Sequence, residues 1–542
     1  MTEQVTVALA RRHTLSDLLR RSAARYAERV AIVEGERQRT YAQLDADASR
    51  IANALHERGL GPGDRIALLS RNSLEYAQVV FGVARAGAVL VPINFMLGAS
   101  EVAFILGHSS SRGLIVQDAL CEIAERAVTE SQAHLDLRIV IGVHRETWEP
   151  IGDLLEHPVD SEPEILIGSD APAQVLYTSG TESRPKGAVL AHSSLIAQYV
   201  SCIVDGGMES DDVELHALPL FHSAQQHCFL VPDVYLGARS VIVAAPDPGV
   251  LLEMIERHRI TKLFAPPTVW IGMLRHPEFD QRDLSSLRKG YYGAAIMPVE
   301  VLREITERLP AVRLWNFYGQ TEMAPVAVML QPEDQIRKAG AAGRPCLNVE
   351  TRVVDPDGAD VAVGEIGEIV HRAPHAILEY LDDPEKTAEA FRGGWFHSGD
   401  LGVLDDDGYL TVVDRIKDMI KTGGENVASR EVEEVLYGYD GVAELAVIGI
   451  PHPVWIEAVV AVVVPKPGAS VTADDLKAHA HGRLASFKVP KAFALVESLP
   501  KNPSGKVLKR ELRQQYAHLA DSISGGRSAT PPLPTAGPRA AP

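Results

Sequence analysis

One stretch of the sequence stands out for its chemistry: Tyr177-Thr178-Ser179-Gly180-Thr181-Glu182-Ser183-Arg184-Pro185-Lys186-Gly187. It follows an apolar run that reads as a buried strand and precedes an apolar helix, Ser193–Tyr199. Hydroxyls, glycines and a lysine in a strand-to-helix loop suit phosphate. Backbone N–H groups and hydroxyls line a concave anion site, and the lysine adds a point charge. It is not a Walker A loop, because Gly-x4-Gly-Lys-Ser/Thr occurs nowhere in the chain. The plain alternative for such a stretch is a polar surface loop.

The elements that must position this loop read as α/β. Helical spacing marks Thr14–Ala27, with Thr14 or Ser16 as cap, then Tyr41–Arg58 and Glu75–Ala86. Short apolar runs at Arg65–Leu69, Ala88–Pro92, Val175–Tyr177, Ser240–Val243 and Lys262–Ala265 read as strands. This alternation predicts parallel sheets with helical crossovers. After about Ala342 the character changes. Val349–Val354, Glu368–His371 and Tyr409–Val413 are short strands broken by Asp357-Gly358 and Asp407-Gly408 turns, which predicts a β-rich subdomain. A compact α+β unit follows, with helices at Ser429–Leu436, Ala473–Leu484 and Lys509–Ala520 and strands at Val442–Gly449, Glu457–Val464 and Ala492–Val496. The expected division is 1–414, 415–520, and a Gly/Ser/Pro/Ala tail, 521–542, read as disordered.

Composition narrows the classes. The 542 residues carry 53 Lys plus Arg against 72 Asp plus Glu, a formal net charge of −19. Such a chain is a poor general binder of nucleic acid or anionic membrane. At 46% hydrophobic residues it has enough apolar content for a large core. The length predicts roughly three to five domain-sized units. Four scattered cysteines (Cys121, Cys202, Cys228, Cys346) form no CxxC pair and fit a reducing, cytoplasmic setting. No run approaches the ~18 apolar residues of a membrane span, and neither a secretory signal nor a Ser-Lys-Leu ending is expected.

The loop resembles the phosphate loop of the ANL superfamily of adenylate-forming enzymes, and further motifs of that family follow in its order. These are Pro219-Leu220-Phe221-His222, Gly293-Ala294-Ala295, Asn316-Phe317-Tyr318-Gly319-Gln320-Thr321-Glu322, Gly343-Arg344-Pro345 and Gly364-Glu365-Ile366-Gly367-Glu368. Trp395-Phe396-His397-Ser398-Gly399-Asp400, Asp414-Arg415-Ile416-Lys417-Asp418 with Gly423-Gly424-Glu425-Asn426, and Pro503-Ser504-Gly505-Lys506 complete the set. The resemblance covers the chain to about residue 520. It implies two half-reactions: a carboxylate attacks the α-phosphate of ATP, giving acyl-AMP and pyrophosphate, and the thiol of coenzyme A then displaces AMP.

The same resemblance assigns roles. Lys506 is the expected catalytic lysine between carboxylate and α-phosphate. Glu322 would hold Mg²⁺, a hard cation suited to oxygen ligands. Thr178, Ser179, Gly180, Thr181, Lys186 and Thr321 would meet phosphate. Asp400 would accept from the ribose hydroxyls, with Arg415 as a second contact. Tyr318 would stack on adenine, with Gly293, Ala294 and Ala295 on its other face and Asn316 and Gly319 nearby. Lys417 would be the hinge of a mobile C-terminal domain, and Gly423, Gly424 and Glu425 would line the thiol tunnel. Phe221, His222, Gly319 and Trp270 are the expected acyl-pocket residues, with Trp270 read equally well as a core residue.

Three positions depart from the family pattern. Glu182 replaces a hydroxyl residue and Ser183 a glycine in the loop, and Ile456 stands where glycine is common. A carboxylate beside phosphates repels them, and Ile456 lies near the face used in the thiol step, which predicts a weakened coenzyme A half-reaction. His222 follows Phe221 where amino-acid-activating relatives carry Asp, so the expected substrate is a hydrophobic acid: fatty, aryl or alicyclic. Transfer to a carrier protein or partner enzyme instead of coenzyme A is the second reading, and an inactive nucleotide-binding scaffold the third. A homodimer is a family-level expectation only.

Overall fold

The computed structural model describes residues 7, 9–178, 185–293, 295, 297–501 and 507–523. The chain forms two compact units, the first ending at Val412 and the second beginning at Val413. The anticipated tail beyond residue 523 lies outside the described residues.

The first unit is built on two large sheets and one small one. In one large sheet the parallel strands Val30–Glu34, Arg239–Ile242, Val213–His216, Lys262–Phe264, Lys289–Gly293 and Arg313–Gly319 run side by side. Antiparallel strands close both edges, Arg37–Thr40 on one side and Val326–Leu330 with Arg344–Pro345 on the other. In the second, Pro172–Thr178, Val89–Ile93, Arg65–Leu69, Gly113–Gln117, Leu137–Ile141 and Glu149–Pro150 are parallel. Helices cover these sheets through apolar faces, as parallel sheets require. Helix Leu15–Tyr26, for example, starts at Thr14, whose N–H donates to the Asp17 carboxylate at 2.9 Å, and buries Leu15, Leu18 and Leu19. The expected β-rich stretch is a sheet of Glu350–Val354, Gly367–Arg372, Phe396–Leu404 and Leu410–Arg415.

The second unit is α+β. Strands Val442–His452 and Ile456–Pro465 pair antiparallel, Ala492–Leu495 joins parallel, and Ile420–Thr422 with Glu425–Val427 completes the sheet. Helices Ser429–Tyr437, Ala473–Ala480 and Lys509–Tyr516 accompany it. The helix expected to reach Leu484 stops at Ala480, with Gly482 at φ +83° just beyond, a common way for a helix to end.

A charged cluster sits inside the first unit. Lys262 and Glu214 are register partners on adjacent strands, with Nζ 3.7 Å from Oε2, and Lys262 also pairs with Asp233 of helix Val231–Leu236. All three are fully buried. Burial opposes the charge on Lys262, but Asp233 and Glu214 outweigh it and raise its pKa. Burial pushes Asp233 up to about 6 and Glu214 well above the usual range, against the pull of Lys262. Removing the one cation strands two carboxyls, so Lys262→Met should cost about 3–5 kcal/mol in urea unfolding followed by circular dichroism. An unchanged midpoint would show that the cluster does not anchor these strands.

Candidate functional site

The phosphate-loop expectation needs one correction. Thr178 ends strand Pro172–Thr178, but Lys186 opens a further strand, Lys186–Ala191, which runs antiparallel to it with Thr178 opposite Lys186. The loop therefore joins two antiparallel strands, and helix His192–Asp205 comes only afterwards. Four small or β-branched residues, Gly187 to Val189 and Ala191, with Leu190 make this run as good a buried strand as a helix approach. Ser179, Gly180, Thr181, Glu182 and Ser183 lie outside the described residues, as do Ala294 and Lys506.

The hairpin carries Lys186 to Glu322. Strand Glu379–Tyr380 pairs with Lys186–Ala191, Tyr380 opposite Ala188. Lys186 Nζ lies 5.2 Å from the centre of the Tyr380 ring, a cation–π distance. The Tyr380 hydroxyl donates to Glu322 Oε1 at 2.9 Å. Burial, and next the Glu322 charge, raises the Tyr380 pKa, so the phenol keeps its proton as the donor. Glu322 is buried in the tight turn Thr321–Met323, and its backbone carbonyl accepts from Ile377 N–H at 2.9 Å. Thr321 Oγ1 is 3.3 Å from Ser223 Oγ, one residue past His222. A cavity of about 320 Å³ beside Lys186 is also lined by Phe104, His108, Tyr380 and Lys386.

A second pair lies on the next motif. Tyr318, near the end of strand Arg313–Gly319, donates its hydroxyl to Asp400 Oδ2 at 2.8 Å. Asp400 is buried, and its N–H donates to Ser398 Oγ at 3.0 Å. The expected adenine and ribose residues are thus joined by a direct hydrogen bond. Asn316 is two residues back on the same strand face, its amide donating to Ala341 carbonyl at 3.4 Å. Gly293 ends the neighbouring strand opposite Phe317, and Ala295 is exposed. At Gly319 a Cβ would stand 2.0 Å from the Pro325 carbonyl oxygen, so no other residue fits this approach.

The acyl-pocket expectations separate. Asn72, which carried no motif signal, clamps the Pro219–His222 segment: its Nδ2 donates to Leu218 carbonyl at 2.9 Å and its Oδ1 accepts from Leu220 N–H at 2.8 Å. The Phe221 ring meets Phe95 edge-on at 5.4 Å, and His222 Nδ1 accepts from Ala224 N–H at 3.2 Å. Trp270, however, is a core residue. It is fully buried on helix Pro267–Arg275, with Nε1 donating to Tyr291 carbonyl at 3.2 Å and its ring against Gly290. Of the two readings offered for Trp270, its burial agrees with the core one, as the general preference of tryptophan for burial favours.

In the second unit, Arg415 ends strand Leu410–Arg415, and Lys417 follows in the turn before Ile420–Thr422. Asp414 fixes this stretch, its Oδ2 accepting from Ser429 N–H at 2.6 Å and Oγ at 2.8 Å. Gly423 and Gly424 form a two-residue hairpin turn with φ +63° and +91°, the conformation that favours glycine, and Glu425 is exposed beyond it. Gly423 N–H donates to Trp455 carbonyl at 2.9 Å. The next residue, Ile456, has φ +69°, a costly conformation for a β-branched side chain, and is 65% exposed.

Among the described residues no group of three or more His, Cys, Asp or Glu could hold a metal ion, so no all-protein metal cage exists there. No helix of the described residues is long and apolar enough to cross a membrane.

Comparison with known proteins covers most of the chain. The profile described as AMP-binding enzyme matches residues 19–381, and that of the AMP-binding enzyme C-terminal domain matches 431–506. Over 486 residues the chain is 38% identical to a feruloyl-CoA synthase of an Amycolatopsis species, covering 90% of this chain and 96% of that protein. It is 36% identical over 485 residues to the fatty acid–[acyl-carrier-protein] ligase ScoC of Streptomyces coeruleorubidus, covering 88% and 91%. The crystal structure of the anthranilate CoA ligase AuaEII in complex with anthranoyl-AMP superposes with a TM-score of 0.88 at 27% identity, covering 94% and 98%.

Burial sets the acid response of this region. It lowers His227 and His371 to about 3, and His192 and His375 to about 4, so all four stay neutral in the native state. The unfolded chain protonates them below about pH 6.5. His216, fully buried, is held neutral in the same way, so between pH 6.5 and 5 the unfolded chain binds about five protons the native state refuses, against about two carboxyl protons held by native Glu214 and Asp233. Stability should rise with pH in this window, giving a lower urea midpoint at pH 5.5 than at pH 7. An equal or higher midpoint at pH 5.5 would contradict this.

Proposed function

The chain belongs to the AMP-binding enzyme family, and on that premise we propose that it is an AMP-forming acyl-CoA synthetase acting on a hydrophobic carboxylic acid. The observation that carries this reading is the linkage of Lys186, Tyr380 and Glu322, which fixes a cation and a buried carboxylate beside one another. The reaction brings a carboxylate to a polyphosphate, so its barrier is charge and position, and a nucleophilic side chain is not needed. A carboxylate oxygen forms a bond to the α-phosphorus, the α–β bridging bond breaks, and pyrophosphate leaves. The sulfur of the thiol then bonds to the acyl carbon, its proton is lost, and AMP departs.

In this reading Lys186 and the hydroxyls of Thr178, Thr181 and Thr321, with the backbone of Ser179 and Gly180, hold phosphates. Tyr318 and the Gly293–Ala295 backbone flank adenine, beside Asn316 and Gly319. Asp400 and Arg415 take the ribose. Lys506 offsets charge at the α-phosphate, and Lys417 is the hinge between half-reactions. The unit boundary at Val412/Val413 supports domains of 1–414 and 415–520. Glu322 suits Mg²⁺: its carboxylate is buried and oriented by Tyr380, and one hard-oxygen ligand fits an ion held chiefly by nucleotide phosphates. When bound, that ion neutralises phosphate charge. Phe221, His222 and Gly319 border the acid. The four cysteines are free and buried, which supports a cytoplasmic setting.

A carrier-protein thiol is the second reading of the acceptor. Ile456, strained and exposed beside Gly423-Gly424, narrows what this face accepts, and ScoC is by its name a ligase of that kind. One assay series tests both. Acid-dependent pyrophosphate release should appear in the wild type and fall at least about 100-fold in Lys506→Ala. Mass spectrometry then identifies the product with coenzyme A or a phosphopantetheinylated carrier protein. Unchanged pyrophosphate release in Lys506→Ala would overturn the role of that lysine, and no release with any acid would overturn the function.

A further inference from the structure

Helix Lys509–Tyr516 of the second unit has a thin apolar anchor. Of its residues only Leu512 is buried, in a cluster with Ile448, Val460 and Val462 of the sheet. A helix seated mainly on one side chain resists rolling poorly, so its polar contacts must set its orientation. Two of them lie four residues apart, on one helix face. Lys509 Nζ donates to Ser429 Oγ at 2.6 Å and pairs with Glu433 Oε1 at 2.8 Å, both on helix Ser429–Tyr437. Arg513 pairs with Asp418 Oδ1 at 2.7 Å.

These contacts grip the turn that carries Lys417 from both sides. Asp418, the residue after Lys417, is held by Arg513. Asp414, on the other side, accepts from Ser429 N–H at 2.6 Å and Oγ at 2.8 Å, and that same Oγ accepts from Lys509. Between them Asp418 N–H closes the turn on the Arg415 carbonyl at 2.9 Å. Burial works against the Asp418 charge, yet Arg513, Lys509 and Lys417 outweigh it and keep the carboxyl below its usual range. The link to Arg513 is therefore charge-assisted, the stronger kind of hydrogen bond.

The start of the helix meets the stretch that carries Lys506. Lys501 and Val507 form an antiparallel bridge, and Leu508 N–H donates to the Pro500 carbonyl at 2.9 Å. The two ends of that stretch are thus fixed to each other where the helix begins. The Gly423-Gly424 turn is held by other means: the pairing of Ile420–Thr422 with Glu425–Val427, and Gly423 N–H on the Trp455 carbonyl. Lys509 and Arg513 take no part in those bonds.

We infer that Arg513, with Lys509, is a positioning residue of the first half-reaction: it locks the helix to the turn of Lys417, so that rotation at the turn brings Lys506 to the α-phosphate without slack. This rests on the roles proposed for Lys506 and Lys417. In this reading Arg513 touches no substrate and acts only through Lys506. The second half-reaction, read onto the Gly423-Gly424 turn, does not need the lock.

The test uses the full-length protein and separates the two half-reactions. The first is read as pyrophosphate release with an acid that the wild type activates. The second is read by supplying the synthetic acyl-AMP with coenzyme A or the carrier protein, whichever the wild type uses. Arg513→Ala should lower kcat for pyrophosphate release about 10-fold, as misplacement of a catalytic group does. KM for ATP should stay near the wild-type value, and thioester formation within about twofold of it. Arg513→Lys, which keeps the charge, should recover most of the loss. A merely structural arginine would lower both half-reactions together with the melting temperature. An unchanged kcat in Arg513→Ala, or an equal fall in both half-reactions, overturns the inference alone. If Arg513→Ala does not fold, Asp418→Asn removes the same ion pair and decides by the same split. A wild type that releases no pyrophosphate with any acid overturns the inference together with the proposed function.

Discussion

The hydroxyl of Tyr380 on the buried carboxylate of Glu322 is the contact on which the rest of the site depends. A carboxylate among anionic substrates helps only if it is held where a cation can use it. Glu322 is fixed twice, by the phenol at its side chain and by Ile377 N–H at its backbone. Ile377 leads into the two-residue strand Glu379–Tyr380, and that strand docks on Lys186–Ala191. The register of one short strand therefore sets the place of Lys186 relative to Glu322. A slip of one residue would turn Tyr380 to the other side of the sheet and undo both contacts.

This arrangement answers the charge problem of the chain. The protein carries −19 overall, and its substrates in the proposed reaction are anions. Long-range attraction is therefore no help, and local placement must do what net charge cannot. Placement rests on neutral devices: a phenol under Lys186, a phenol on Asp400, a serine hydroxyl beside Thr321. Behind them the Lys262–Asp233–Glu214 cluster ties strand Val213–His216 to its neighbour, and His216 at the end of that strand holds Gln225. The polar run after His222 is thus anchored to the sheet interior.

Much of this was legible in the sequence, for physical reasons that differ by residue. Arg65–Leu69 reads as a strand because an unbroken apolar run between turns has few other uses, and the structure agrees residue for residue. The family was legible because its motifs carry glycines and charges in a fixed order. Lys186–Ala191 was not, since a short apolar run fits a strand or the approach to a helix. Trp270 stayed open between two readings because burial and pocket lining call for the same residue type. Tyr380 and Asn72 were invisible: each acts on a partner far away in the chain, Glu322 and Leu220 respectively, and only the folded sheets bring them together. Ile456 was flagged as a departure from glycine, and its φ of +69° is the left-handed conformation that glycine adopts at least cost.

The central claim is that the acid's own oxygen attacks the α-phosphorus of ATP. Its most direct test is to turn over an acid labelled with ¹⁸O in its carboxylate, with ATP and coenzyme A, and to locate the label by mass spectrometry. The account predicts one ¹⁸O in AMP and none in pyrophosphate. Label in pyrophosphate or inorganic phosphate, or unlabelled AMP formed during turnover, would contradict it.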